Sequence, residues 1–159
     1  MKLKFYLTCF IGLPLAAIAQ NSCATATTIT AGTHNVVTID GTAPTLICAD
    51  NGGGQTAGEW YKYVPSENFS VDLSTDLAQN AGIDTRFHVY TGTCGALTCH
   101  SGDDDGGTNF LSFATFNVMA GVEYFIVFDN RWDSDGFDFL LDENPFVEPV
   151  TPPVTFTPT

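Results

Sequence analysis

Closely spaced aspartates are the residues of this chain best suited to chemistry. Asp103, Asp104 and Asp105 follow one another ahead of two glycines, and Asp84 begins a strand-like segment upstream. Ca²⁺ binds six to eight oxygens from carboxylates, carbonyls and water, which a glycine-rich acidic loop can present. Because neighbouring side chains on an extended backbone face apart, Asp103 and Asp105 are expected to share an ion with Asp84. The alternative is a turn in which these aspartates accept backbone N–H groups.

A second acidic stretch contains Asp133-Ser134-Asp135-Gly136, which is similar to the middle of an EF-hand calcium loop. Arg131 stands where the first acidic ligand of such a loop should be, and no glutamate closes the stretch. Asp133 and Asp135 are therefore weaker metal candidates than the first cluster.

Trp132, in the same stretch, is a candidate for binding carbohydrate. An exposed indole flanked by polar groups can stack on a sugar ring, and Asp129 and Asn130 would supply those groups. The alternative is a tryptophan that folds back over the edge of the protein. Trp132, Asp129 and Asn130 are thus the predicted ligand-binding residues of a carbohydrate-binding module.

The first 19 residues predict export from the cytoplasm. Met1-Lys2-Leu3-Lys4 gives a basic start, an apolar run follows, and Ala17-Ile18-Ala19 has the small-x-small pattern of a cleavage site. The apolar run is too short and wrongly flanked for a lasting membrane span. We expect residues 1–19 to be a signal peptide and the mature protein to be secreted or held at the cell surface, with no membrane insertion after cleavage.

Export determines how the cysteines are interpreted, because disulfides persist outside the cytoplasm. Cleavage removes Cys9 and leaves Cys23, Cys48, Cys94 and Cys99, which allow three pairings. Only four residues separate Cys94 from Cys99, a spacing suited to stapling a tight turn. The predicted bridges are therefore Cys94–Cys99 and Cys23–Cys48. Thiolate coordination of a metal is disfavoured, because the chain has no C-x-x-C pair.

The mature chain is strongly acidic. Lys62, Arg86 and Arg131 are the basic residues left after cleavage, against eighteen acidic residues, which gives a net charge of −15. Such a surface repels nucleic acid and anionic lipid. The partners that remain are a polysaccharide or an extracellular or cell-surface protein, with Ca²⁺ as a candidate cofactor.

Alternation of apolar and polar residues predicts that short strands position these groups. Phe69, Val71 and Leu73 alternate with polar neighbours, as half-buried strands do. Further strands are predicted over residues 35–39, 59–64, 84–90, 111–117, 122–129 and 137–141. The apolar runs at 124–128 and 137–141 are typical of strands covered on both faces or at a sheet corner.

Seven to nine such strands predict an all-β domain over residues 20–144, a two-layer antiparallel β-sandwich. Trp60, Tyr61 and Tyr63 are expected in its core or at its rim. Residues 145–159 are rich in proline and threonine, and this composition favours an extended linker or tail.

The sequence predicts no catalytic site. His34, His88 and His100 are scattered, and neither a G-x-S-x-G nor an H-E-x-x-H motif occurs. A pair of glycosidase carboxylates cannot be singled out among so many acids. We therefore expect no enzymatic activity from this chain, with any catalytic domain lying outside it.

Five segments, in this order, resemble the bacterial pre-peptidase C-terminal (PPC) domain of exported multidomain proteins. They are Glu59 to Tyr63, Asp84 to Cys94, Gly102 to Asp105, Ala120 to Val127 and Gly136 to Phe139. The resemblance covers nearly the whole predicted domain. It implies a jelly-roll-like β-sandwich without catalytic activity, attached to secreted peptidases, adhesins or other surface proteins, some members of which bind calcium or polysaccharide.

Three functions follow from these observations. The first is a non-catalytic extracellular accessory module for adhesion or for targeting to a substrate or surface, stabilised by calcium. The second is a carbohydrate-binding module. The third is the N-terminal fragment of a secreted peptidase or other hydrolase, in which additional domains of the same polypeptide do the chemistry.

Overall fold

The computed structural model describes residues 22–146, which form nine strands in two sheets. The strands are β1 (Thr27–Ile29), β2 (Gly32–Val36), β3 (Gly58–Tyr63), β4 (Phe69–Ser74), β5 (Arg86–Thr93), β6 (Ala96–Asp103), β7 (Phe113–Val118), β8 (Tyr124–Asp129) and β9 (Phe137–Pro145). Single 3-10 turns occur at Cys23–Thr25 and Ala78–Asn80. Between residues 22 and 146 no helix has the length and apolar character needed to cross a bilayer. The predicted signal peptide lies outside the described residues, as does the predicted tail of residues 145–159 except for its first two residues, of which Pro145 ends β9.

The strand order makes the fold a jelly roll. One sheet has the order β1-β3-β8-β5-β6 and the other the order β2-β9-β4-β7. Every neighbouring pair is antiparallel except β1 with β3. Counted from β2, the strands lie in the orders 2-7-4-5 and 1-8-3-6, the arrangement of a double-sheet jelly roll. The predicted all-β class, two-layer sandwich and jelly-roll likeness are confirmed.

Alternating side chains of the two sheets fill the space between them. Phe87 and Val89 of β5 lie beside Phe128 and Ile126 of the neighbouring strand β8 in this inner core, and all four are fully buried. Tyr61 and Tyr63 lie in the same core, as predicted. Tilted and edge-on rings supply much of its bulk, for example Phe128 and Phe139, whose centroids are 4.7 Å apart.

Residues 37–57 form a long loop that covers the outer face of the first sheet. A second buried cluster beneath it comprises Trp60, Tyr90, Phe125 and Val127. The indole N–H of Trp60 donates to the Thr42 carbonyl at 2.7 Å. At Gly102 of β6 an added Cβ would lie 2.7 Å from the Ala49 nitrogen, so the loop backbone rests directly on the sheet. The run at 124–128 is therefore covered on both faces, as predicted, whereas β9 alternates between buried and half-buried residues.

The predicted disulfide pairing is wrong. The bridges are Cys23–Cys94 and Cys48–Cys99, with Cα–Cα distances of 5.6 and 5.5 Å. Cys94 occupies the turn between β5 and β6, whereas Cys99 lies within β6 opposite Tyr90. A strand rises about 3.3 Å per residue, so Cys99 is too far along β6 for a Cα separation below about 7 Å. One bridge therefore ties the N-terminus to this turn, and the other ties the covering loop to β6.

Candidate functional site

Strand pairing brings four loops to one end of the sandwich. Gly58, where β3 begins, and Arg86, where β5 begins, both pair with Asp129, where β8 ends. Phe87 pairs with Asp103, where β6 ends. The loops that meet at this end comprise residues 37–57, 75–85, 104–112 and 130–136. We call it the acidic end, because most of the candidate aspartates lie on these loops.

A buried ion pair fixes the base of the acidic end. The Arg86 guanidinium donates to the Asp129 carboxylate from Nε, which contacts both oxygens, and from Nη2 at 2.7 Å, and both side chains are fully buried. Burial alone would raise the pKa of Asp129, but hydrogen bonds from His88 and Arg86 outweigh it and hold the pKa below its ordinary value. Arg86 also donates to the carbonyls of Asp50 and Gly52, so the pair anchors the covering loop.

The hydrogen bonds of His88 indicate one tautomer of its ring. Its Nδ1 accepts the backbone N–H groups of Cys48 at 3.2 Å and Ala49 at 3.1 Å. Its Nε2 therefore carries the proton and donates to Asp129 at 2.8 Å. Both ring nitrogens are occupied and the ring is fully buried, so this His–Asp pair serves the fold and has no nitrogen free for proton transfer to a ligand.

Three carboxylates at the acidic end have the spacing of a calcium site. Oxygens of Asp84, Asp104 and Asp105 lie within 4.8 Å of one another. Ca²⁺ binds oxygens at about 2.4 Å, so two ligands on opposite sides of the ion are about 4.8 Å apart, while Mg²⁺ demands a tighter cage. Asp84 Oδ1 is buried without a hydrogen-bond partner among the described residues. These residues therefore fit calcium by donor type, spacing and an unsatisfied oxygen.

The electrostatics of this cluster are those of uncompensated negative charge. Burial, together with Asp104, Asp105 and Asp133, raises the pKa of Asp84 to about 6. Burial and the neighbouring Asp104 and Asp103 also raise the pKa of Asp105. The salt bridges found within residues 22–146 involve Asp129 and Glu123, so none of them neutralises the cluster.

Asp104, and not the predicted Asp103, lies with Asp84 and Asp105 in the cluster. Asp103 accepts the backbone N–H groups of Gly106 at 2.7 Å and Phe113 at 2.9 Å, which is the turn alternative considered for this segment. Strand β6 ends at Asp103, so the alternation of an extended chain no longer applies to Asp104 and Asp105. The D-x-x-G spacing to Gly106 is the sequence signal that favours this turn role.

Asp133 and Asp135 lie outside the cluster of three. Asp133 Oδ1 accepts the Asp135 N–H at 2.9 Å, which closes a local turn. Asp133 nevertheless lies near enough to raise the pKa of Asp84. The EF-hand-like spacing thus produces a turn beside the candidate site.

Asp104 is oriented by neighbours on two other loops. Its carboxylate accepts the Trp132 indole N–H at 2.9 Å and the side-chain amide of Asn51. Only 3 % of Asp104 is exposed. Sequence reasoning did not single out Asn51, because nothing in its surroundings marks a residue of the covering loop as a partner of Asp104.

Two of the predicted sugar-binding residues are engaged inside the protein. Asp129 is buried in its ion pair, and Asn130 Oδ1 accepts the backbone N–H groups of Thr56 and Ala57, both at 2.8 Å. Trp132 is 48 % exposed, but the Arg131 guanidinium lies over its ring at 4.5 Å from the centroid. A sugar would therefore have to stack on the remaining face of Trp132 without direct help from Asp129.

Fold and site together define a small, doubly disulfide-bonded jelly-roll module with an acidic loop end. Among solved structures, the chain is similar to the pre-peptidase C-terminal domain of a collagenase from Bacillus anthracis. The sequences are 13 % identical, the match covers 74 % of this chain and 94 % of that domain, and the TM-score is 0.47. This solved domain bears the name of the family that the sequence resembles. No protein-family model and no curated protein matches the chain.

Proposed function

We propose that this chain is a non-catalytic, extracytoplasmic accessory module that targets a partner, and that its acidic end holds Ca²⁺. The observation that carries the proposal is the meeting of Asp84, Asp104 and Asp105 at a convergence of loops fixed by a buried ion pair. Loops held on a rigid sandwich are the usual place for recognition. The two disulfides support an extracytoplasmic location, since such bonds persist in oxidising compartments.

The histidine contacts support a role in binding instead of catalysis. His34 and His100 use their Nε2 atoms on the backbone carbonyls of Thr30 and Asn117, and His88 is sealed beneath the loop. Within residues 22–146 no histidine hydrogen-bonds to a serine, threonine or cysteine side chain that could act as a nucleophile. A hydrolase that contains this module would therefore take its chemistry from another domain, and the module would bind a polysaccharide or an extracellular protein.

Calcium should raise the thermal midpoint of the protein. A ligand that binds only the native state stabilises it by about 2.7 kcal/mol at 100 times its Kd. The measurement is thermal unfolding of the mature chain in calcium and in chelator at matched ionic strength, with magnesium as the comparison ion. An unchanged midpoint in calcium would remove the ion from the proposal.

The variant Asp105→Asn makes this test specific, because Asp105 is exposed and its side chain accepts no hydrogen bond within the described residues. It should melt higher than the wild type in chelator, since repulsion with Asp104 is relieved, and should respond less to calcium. Asp142→Asn is the matched control, because Asp142 is an exposed carboxylate on β9 outside the cluster, and this variant should keep the full response to calcium. Equal calcium responses of the two variants would contradict the site.

A further inference from the structure

A groove at the acidic end differs from the surface around it because its walls are largely apolar. It encloses about 540 Å³ between the loop after β4 and the loop before β7. Its apolar lining comprises Leu77, Ala78, Ala81, Ile83, Phe110 and Leu111. We call it the Phe110 groove.

Both charged residues that line the Phe110 groove are acidic. Asp76 and Asp84 line it, and no basic side chain does so among the described residues. Asp76 accepts the backbone N–H and the hydroxyl of Thr108 at 3.1 and 2.8 Å, which leaves lone pairs on both oxygens. A recess with apolar walls and two carboxylates is complementary to a cation with an apolar stem.

Phe110 exposes its ring at the rim of the groove at a cost to the fold. It is 64 % exposed and has a φ of 67°, a left-handed conformation that a bulky residue rarely adopts. Thr85 fixes this backbone by donating its N–H to the Phe110 carbonyl at 3.0 Å. The ring therefore contributes little to the core while its backbone is strained, a combination that points to a role outside folding.

The walls of the groove are held in place before any ligand arrives. Buried Asn80 donates its side-chain amide to the carbonyls of Thr75 and Asp138, both at 2.6 Å. Ile83 in turn donates its N–H to the Asn80 carbonyl at 3.1 Å. A groove ordered in this way loses little conformational freedom on binding.

We propose that the Phe110 groove binds a lysine or arginine side chain presented by a partner protein. The methylene stem lies along the apolar walls, the charged head reaches the carboxylate of Asp76, and the Phe110 ring provides a cation–π contact. The inference deepens the targeting role proposed above and rests on it, because it names a basic protein segment as the partner.

The test is a titration of the ¹⁵N-labelled mature chain, in chelator and at low salt, with a capped Gly-Lys-Gly-Lys-Gly peptide. Matched peptides carry norleucine or glutamate in place of lysine. The lysine peptide should give saturable shifts confined to residues 76–84 and 107–111. The norleucine peptide should bind at least about tenfold more weakly, because it lacks the charge. Equal binding of both peptides, or shifts elsewhere, would overturn the proposal.

Variants separate binding from folding. Phe110→Gly should lower the affinity for the lysine peptide about tenfold, because the cation–π contact is lost. Its thermal midpoint should stay unchanged or rise, because glycine adopts this backbone conformation freely. Asp76→Asn should also weaken binding. Met119→Gly removes a side chain that is 62 % exposed at the opposite end of the sandwich and should change nothing in the titration. Full binding by Phe110→Gly, or a large drop in its midpoint, would show that the ring serves no ligand.

The two proposals fail separately. Asp105 does not line the groove, so Asp105→Asn should weaken the calcium response and leave binding of the lysine peptide unchanged. A protein that melts higher in calcium but gives no saturable shifts with the lysine peptide would overturn the groove inference and leave the calcium site standing.

Discussion

Glu59 is a buried carboxyl group whose charge costs the fold stability at neutral pH. It is 5 % exposed, and burial together with Asp40 raises its pKa from 4.5 to about 7. Between these values the native state holds a proton that the unfolded state has lost, so stability falls as pH rises from 4.5 to 7. The full penalty, on the order of 3 kcal/mol as an upper limit, is present above pH 7.

The change Glu59→Gln should remove this penalty. The variant should be more stable than the wild type at about pH 8, and the difference should shrink towards zero below pH 4.5, where the wild-type carboxyl is protonated in both states. Urea unfolding at a series of pH values measures it. Glu67→Gln, at an exposed position, should show no such trend. A wild type and a Glu59→Gln variant with parallel pH profiles would contradict the argument.

Individual residues of the acidic end were only partly predictable. The three consecutive aspartates in the sequence indicate a local concentration of negative charge. Which of the three aspartates lie close to Asp84 depends on where β6 ends. Because β6 ends at Asp103, the cluster contains Asp104 in place of the predicted Asp103. Nothing near Asp129 in the sequence indicates its burial, because its partner, Arg86, lies 43 positions away.

Among the elements, the covering loop of residues 37–57 depends most on its disulfide. Cys48–Cys99 closes a span of 51 residues, and Cys23–Cys94 one of 71. Loop-closure entropy assigns about 4 kcal/mol to each span, so the two bridges should stabilise the whole fold similarly. Of the two bridges, Cys48–Cys99 is the one that anchors the middle of the loop to the sheet.

Replacing Cys48 and Cys99 together by serine should therefore loosen the loop selectively. Hydrogen exchange of the amides of Cys48 and Ala49, which donate to His88, should speed up more than exchange in β8. The double variant Cys23→Ser/Cys94→Ser is the matched control and should lose similar global stability while keeping the loop protected. Equal exchange of the loop in both variants would mean that the hydrogen bonds hold it without the bridge.

Apolar patterning, either as period-two alternation or as a continuous apolar run, predicted most strands, and it missed those that carry neither pattern. β3, β4, β5, β7, β8 and β9 fall where the sequence places strands, with shifts of up to four residues at their ends. β6 is an edge strand with mostly exposed or half-buried side chains, so no alternation marks it. Missing β6 turned the segment between Cys94 and Cys99 into a supposed tight turn, and that caused the wrong disulfide pairing.

At the scale of the whole molecule, negative charge far exceeds positive charge. With residues 1–19 removed the net charge is −15, and the buried Arg86 is already paired with Asp129. This excess negative charge opposes the compact state through self-repulsion, and it attracts cationic ligands from a distance. The calcium site and the Phe110 groove both lie where the loops concentrate this charge, so salt should act on folding and on binding in opposite directions.

Sodium chloride should accordingly raise the thermal midpoint in chelator, because the repulsion between exposed charges decays over about 4 Å at 0.5 M salt but over about 30 Å at 0.01 M. The double variant Glu67→Lys/Asp142→Lys, at two exposed positions, brings the net charge from −15 to −11 and should show a shallower rise. The same salt should weaken binding of the lysine peptide, since screening reduces attraction as well as repulsion. A midpoint that falls with salt would mean that attractive contacts such as Lys62–Glu123 outweigh the net repulsion, and the excess charge would then not be what limits stability.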